Sequence, residues 1–235
     1  MKLRLAYLSA IADSWANDEI RDKLVNANDI LPILNSDYRF DSPWKCVELH
    51  IVDDEDQKTE WKPAETAGWI GANDEFILNV PNIPEQNQQV QALTAYYEIF
   101  PTLFGSQKTK DPEDKHPLPT ELGANAGPFL EFGGVNLRAI ALAWKNQKFL
   151  KELTLEGQKD ASPVLSKYLG YRSPWNFSLR YKNISDFKWN GKSWDGIPKN
   201  IIKLHYPRKP EDEQIRPIAL TSYNNTGPAY PFSCV

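Results

Sequence analysis

A chain that carries one ordered set of landmarks twice is constrained before any single motif is weighed, because its fold must accommodate two related units. Leu8-Ser-Ala-Ile11 through Trp15, Phe76-Ile-Leu78, Val80-Pro81, Pro84-Glu85 and Ala92-Leu93-Thr94 form the first set. They return as Leu137-Arg-Ala-Ile140 through Trp144, Ile201-Ile-Lys-Leu204, Tyr206-Pro207, Pro210-Glu211 and Ala219-Leu220-Thr221. Ser42-Pro43-Trp44 likewise returns as Ser173-Pro174-Trp175. The order is collinear and the offset stays between about 126 and 131 residues, which marks a tandem of two diverged copies.

Each copy opens with an amphipathic helix. Leu5, Leu8, Ile11, Trp15, Ile20 and Leu24 follow helical spacing, as do Leu137, Ile140, Trp144, Phe149 and Leu153. Asn residues just after Trp15 and Trp144 suit the cap of a second helix, through Ile20–Val25 and Phe149–Leu153. A third is expected at Ala27–Leu34, limited by Pro32, and at Ser162–Leu169, where Pro163 suits a first turn. After Ser-Pro-Trp the period becomes that of strands: Trp44, Cys46 and Leu49 with Phe76–Val80, and Trp175, Phe177 and Leu179 with Asn200–Tyr206, ended by Pro81 and Pro207. The expected class is α+β, a tandem duplication of a module with N-terminal helices followed by a small antiparallel sheet. Residues 1–105 form the first copy, 106–130 a Pro- and charge-rich linker, 131–215 the second copy, and 216–235 a C-terminal tail that Gly and Pro keep irregular.

Composition narrows the function. With 41% hydrophobic and 12% aromatic residues the chain can bury an ordinary core. A net charge of −4 without a basic block suggests neither a nucleic-acid nor a polybasic membrane footprint. No apolar run reaches transmembrane length, and Asp13, Asp18 and Glu19 interrupt any signal-peptide reading, so a cytoplasmic protein is expected, with export following maturation. Cys46 and Cys234 occupy non-equivalent places and form no disulfide framework.

Catalytic constellations are missing from the sequence. His50 and His205 sit in strand contexts and His116 in the linker, and no nucleophile elbow, phosphate loop or zinc-protease motif occurs. The carboxylates of Asp53-Asp-Glu-Asp56 and Asp111–Asp114 read as solvated turns without calcium-loop spacing. No enzyme, metal or cofactor is expected. Trp15/Trp144, Trp44/Trp175 and Trp61/Trp189 match between copies and read as core, whereas Trp69 and Trp194 fall in turn regions and are offered as partner contacts. The copies differ most at their ends, where only the second carries a thiol, in Tyr230-Pro-Phe-Ser-Cys-Val235. The Cys234 thiol can attack the Ser233 carbonyl carbon to give a thiazoline once ATP-dependent activation removes the oxygen, or as thiolate can bind iron before oxidation.

Ala139-Ile-Ala-Leu-Ala-Trp-Lys-Asn-Gln-Lys-Phe-Leu-Lys-Glu-Leu153, with Phe177–Tyr181 and Ile201–Pro207, resembles the nitrile-hydratase α-subunit fold used as a leader in some ribosomal peptide natural products. Asn224–Val235 resembles the end of large precursors of the thiazole/oxazole-modified microcin (TOMM) class. Nitrile hydratases hold metal in a Cys-x-x-Cys-Ser-Cys claw, and the corresponding Asn35–Cys46 and Gly170–Phe177 have at most one cysteine, so nitrile hydration is excluded on chemistry. The resemblance implies a bacteriocin-like precursor, modified at Cys234 and Ser233, whose folded leader docks a cyclodehydratase or iron-dependent oxidase before an exporter and protease act. A different class, a non-catalytic interaction module built as a pseudo-dimeric monomer, is the alternative.

Overall fold

The computed structural model describes residues 3–42, 46–56, 58–63, 68–71, 74–99, 126–173 and 177–226. The first copy contributes helices α1 (Leu3–Ala16), α2 (Asp18–Val25) and α3 (Leu31–Tyr38), strands β1 (Val47–Val52), β2 (Glu60–Trp61), β3 (Trp69–Ile70) and β4 (Glu75–Pro81), and helix α4 (Gln89–Ile99). The second contributes α5 (Ala126–Lys145), α6 (Gln147–Leu153), α7 (Ser162–Leu169), β5 (Ser178–Ile184), β6 (Lys188–Trp189), β7 (Trp194–Asp195), β8 (Asn200–His205) and α8 (Arg216–Thr226). The class is α+β and the element order repeats.

Local chemistry repeats with it. Asn17 Oδ1 accepts the Glu19 amide at 2.8 Å and Asn146 Oδ1 the Phe149 amide at 3.0 Å, each satisfying an orphan donor at the start of a second helix. Asp29 Oδ1 accepts from Leu31 and Leu49, and Asp160 Oδ1 from Ser162 and Leu179, so one carboxylate in each copy ties the third helix to the outer strand. Pro32 does not limit its helix: α3 starts later than expected, with Pro32 in the first turn, where its missing N–H costs nothing.

The long strands do not pair within their own copies. The four-stranded sheet runs β1-β8-β4-β5, so β8 of the second copy separates β1 from β4, and β4 separates β5 from β8. The outer pairs, β1 with β8 and β4 with β5, are parallel, and the central pair, β4 with β8, is antiparallel. The sheet is therefore mixed where an antiparallel one was expected for each copy, and only the ribbons β2–β3 and β6–β7 are antiparallel units internal to a copy. Phe76 lies opposite Ile202 at the centre, and the two are equivalent positions of the copies, so a local twofold axis passes between them.

Val47, Leu49 and Ile51 on β1, Leu179 and Tyr181 on β5, and Ile202 and Leu204 on β8 turn to one face and are buried with the helices. The intervening Glu48, His50, Arg180 and Lys203 lie on the half-exposed opposite face, the alternation expected of a sheet covered on one side. A single apolar cluster runs through both copies, from Ala6 and Ile11 to Phe149 and Leu165.

Two boundaries move. Helix α5 begins inside the segment read as linker, and residues 216–226, read as tail, form α8, the counterpart of α4. Pro217 sits in the first turn of α8, where its missing N–H costs nothing.

Candidate functional site

The best sequence candidates for chemistry, Ser233 and Cys234, lie outside the described residues, as do His116, Trp44 and Trp175. The structure shows instead how the element preceding them is held. Helix α8 packs on α1 and on β3, with Ala219 and Tyr223 buried. The Trp69 ring meets that of Tyr223 edge-on at 5.4 Å, and Trp69 Nε1 donates to the Ala219 carbonyl at 2.8 Å. Trp15 stacks on Trp69 at 6.2 Å and donates from Nε1 to the Pro207 carbonyl at 2.8 Å.

The second copy mirrors this arrangement on α4. Trp194 Nε1 donates to Ala92 O at 2.8 Å, Trp144 Nε1 donates to Pro81 O at 3.1 Å, and the two rings lie 6.2 Å apart. Every one of these four hydrogen bonds crosses from one copy to the other. Trp69 and Trp194, offered as partner contacts, are thus core residues, 8% and 4% exposed, with their indole N–H groups engaged inside the protein. Burial of an amphipathic ring with its one donor satisfied explains why a turn position takes tryptophan here. Gly68 makes room for the cluster: at φ +74° it is left-handed, and a Cβ there would lie 2.3 Å from the Trp61 ring.

A second seam is ionic. Asp53, read as part of a solvated turn, has a side chain only 5% exposed and receives Arg21 together with Arg208, whose Nε lies 2.8 Å from Oδ1. Arg208 also binds Glu55 at 2.6 Å, and with Lys58 it pulls the Glu55 carboxyl down to about 2. Arg21 comes from α2 of the first copy and Arg208 from beyond β8 of the second, so Asp53 joins the copies. The second copy has Asn183 where Asp53 stands and the first has Asn82 where Arg208 stands, so the local twofold does not repeat the network.

Two open depressions are lined by described residues. One, of about 940 Å³, is lined by charges of both signs, including Asp56, Lys159, Arg180 and Lys203, with Glu75 held by Arg180 at 3.2 Å. The other, of about 810 Å³, lies between Pro84, Val90 and Leu93 on one side and Ala141 and Trp144 on the other. His50 pairs with Glu48 at 3.0 Å on β1, and His205 lies in β8, both in strands as expected. Cys46 is half-buried. Among the described residues no group of three or more His, Cys, Asp or Glu side chains could hold a metal ion, and no helix is long and apolar enough to cross a membrane.

No curated protein and no solved structure matches the chain. A family described as ribosomal natural product, two-chain TOMM family, matches it in two stretches, residues 1–103 and 127–231. The stretches correspond to the two copies, and the second stops short of Ser233 and Cys234. Together they cover most of the chain, and the protein belongs to the two-chain TOMM family of ribosomal natural products.

Proposed function

We propose that this precursor is a folded leader, residues 1–226, followed by a short C-terminal segment on which a modifying enzyme acts at Cys234 and at Ser233. The family match carries the reading, and it is supported by the position of the only thiol of the segment beyond both helix α8 and the matched stretch. Ring closure forms a bond from Cys234 Sγ to the Ser233 carbonyl carbon; the amide oxygen leaves as phosphate after ATP activation. The leader, of the nitrile-hydratase α type that the α5–α6 sequence resembles, docks the enzyme and supplies the effective concentration that a nine-residue tail lacks on its own. A cyclodehydratase is the enzyme class that this chemistry requires, with an iron-dependent oxidase as the variant acting on the same thiolate, and an exporter and protease release a bacteriocin-like product.

Coexpression with the neighbouring biosynthetic enzymes tests it. The C-terminal peptide is expected to lose the mass of one water per ring closed, and Cys234→Ala to abolish the change while leaving the fold intact. A synthetic Thr221–Val235 peptide is expected to be modified far more slowly than the whole protein. An unmodified tail would overturn the precursor chemistry, and equal turnover of the peptide would overturn the docking role, leaving the interaction-module reading.

A further inference from the structure

The two copies also differ inside the core, beneath the equivalent helices α4 and α8. Under α8, Asp74 and His205 form a buried pair, each side chain 4% exposed: Asp74 Oδ1 accepts the His205 backbone amide at 2.8 Å and lies 3.2 Å from His205 Nδ1. Under α4 the equivalent residues are Asn200 and Asn79, with the same geometry: Asn200 Oδ1 accepts the Asn79 amide at 2.9 Å and the Asn79 side chain at 3.1 Å. Tyr7 of α1 has Asn136 as its equivalent, while Tyr223 of α8 and Tyr96 of α4 are matched tyrosines. The site under α8 is therefore built around titratable Asp74, His205 and Tyr7 where its twofold mate under α4 has the amides Asn200, Asn79 and Asn136, each site drawing residues from both copies.

The amide version shows that the fold needs no ionisable group here. The titratable version carries a cost: Asp74 Oδ2 is buried with no hydrogen-bond partner among the described residues, and a buried carboxylate with a bare oxygen is expensive. Burial raises the Asp74 carboxyl, against the His205 hydrogen bonds that lower it, and the nearby Glu75 raises it further. Burial likewise holds the Tyr7 phenol well above its usual range, reinforced by Tyr223 and Asp74, with Tyr206 also facing it. Glu75 itself points to the open face of the sheet, toward Arg180 and Lys203. Among the described residues, His205 is the one cationic group that acts on the Asp74 carboxyl. A carboxyl–imidazole pair is neutral only while it holds a single titratable proton; removing it leaves a net buried negative charge among phenols, and adding one leaves a net positive charge.

We propose that Asp74, His205, Tyr7 and Tyr223 form a proton-sensitive latch under α8, closed while the Asp74–His205 pair holds one proton and loosened when it loses that proton or gains another. Tyr223 of α8 interacts with Tyr7, and Tyr7 with Asp74, and in the sequence α8 precedes the segment bearing Ser233 and Cys234, so one proton governs the docking of the helix before them. The latch goes beyond the precursor reading and does not depend on it.

Hydrogen exchange on the full chain, corrected for the pH dependence of unstructured peptides, tests the latch, with α4 as the internal control. As the pH is varied, protection of α8 is expected to pass through a maximum and fall on either side by up to about tenfold per pH unit, the limit for one linked proton. Protection of α4 is expected to stay level. Asp74→Asn together with His205→Asn, which copies the Asn200 and Asn79 arrangement, is expected to flatten the α8 profile. An α8 profile parallel to that of α4 in the unmodified protein overturns the proposal, as does a doubly substituted protein that keeps the α8 maximum. If the substituted protein does not fold, the comparison of α8 with α4 in the natural chain decides alone.

Discussion

Trp69 donates its indole N–H to the carbonyl of Ala219, 2.8 Å away and 150 residues further along the chain. The bond fastens the β2–β3 ribbon of the first copy to the last helix of the second, and Trp194 with Ala92 returns the same bond in the other direction. With Trp15 and Trp144 bound to Pro207 and Pro81, the indoles act as reciprocal clasps across the local twofold.

Truncation of a clasp separates packing from hydrogen bonding. Trp69→Phe keeps an aromatic ring and removes the donor, and it is expected to cost about 1 kcal/mol. Trp69→Ala removes the ring as well and is expected to cost about 3–5 kcal/mol, as is Trp144→Ala. Denaturant unfolding followed by circular dichroism measures both, and a cost for Trp69→Ala no larger than for Trp69→Phe would contradict its place in the core.

The interleaved sheet makes the copies one cooperative unit. A fragment of residues 1–99 lacks β8 between β1 and β4, and a fragment of residues 126–235 lacks β4 between β5 and β8. Neither is expected to give a dispersed amide NMR spectrum alone, while the mixture regains that of the whole chain. A protease site introduced between residues 105 and 119 is expected to be cut without separation of the halves on gel filtration. Two independently folded fragments would contradict the strand order.

The Glu55 carboxyl is expected to titrate near 2, held down by Arg208 and Lys58. Because its folded value lies below the ordinary value of about 4.3, its contribution to stability is present at neutral pH and is lost as the pH falls from about 4 to about 2. Arg208→Gln removes the first of the two partners, and the Glu55 titration, read by NMR of the side-chain carboxyl, is expected to move up toward the ordinary range. A titration unmoved by Arg208→Gln would assign the shift to another cause.

The duplication, the helices capped by Asn17 and Asn146, the helix with Pro163 in its first turn and the burial of Trp15 and Trp144 were all legible in the sequence, because spacing, caps and prolines act within a few residues of themselves. Strand alternation at Val47–Val52 says which face is buried and nothing about which strand lies alongside, so only the tertiary structure decided that β8 enters between β1 and β4. The same holds for Trp69 and Trp194, whose turn positions suggested exposure until helices from the opposite copy covered them, and for Asp53, whose acidic neighbours concealed the arginines that reach it from elsewhere in the chain. The Asp74–His205 pair is 131 residues apart in sequence, and neither residue is unusual in its own segment. Local chemistry determined the pieces of this protein; the reciprocal burial of two related copies, which no local period encodes, determined which pieces meet.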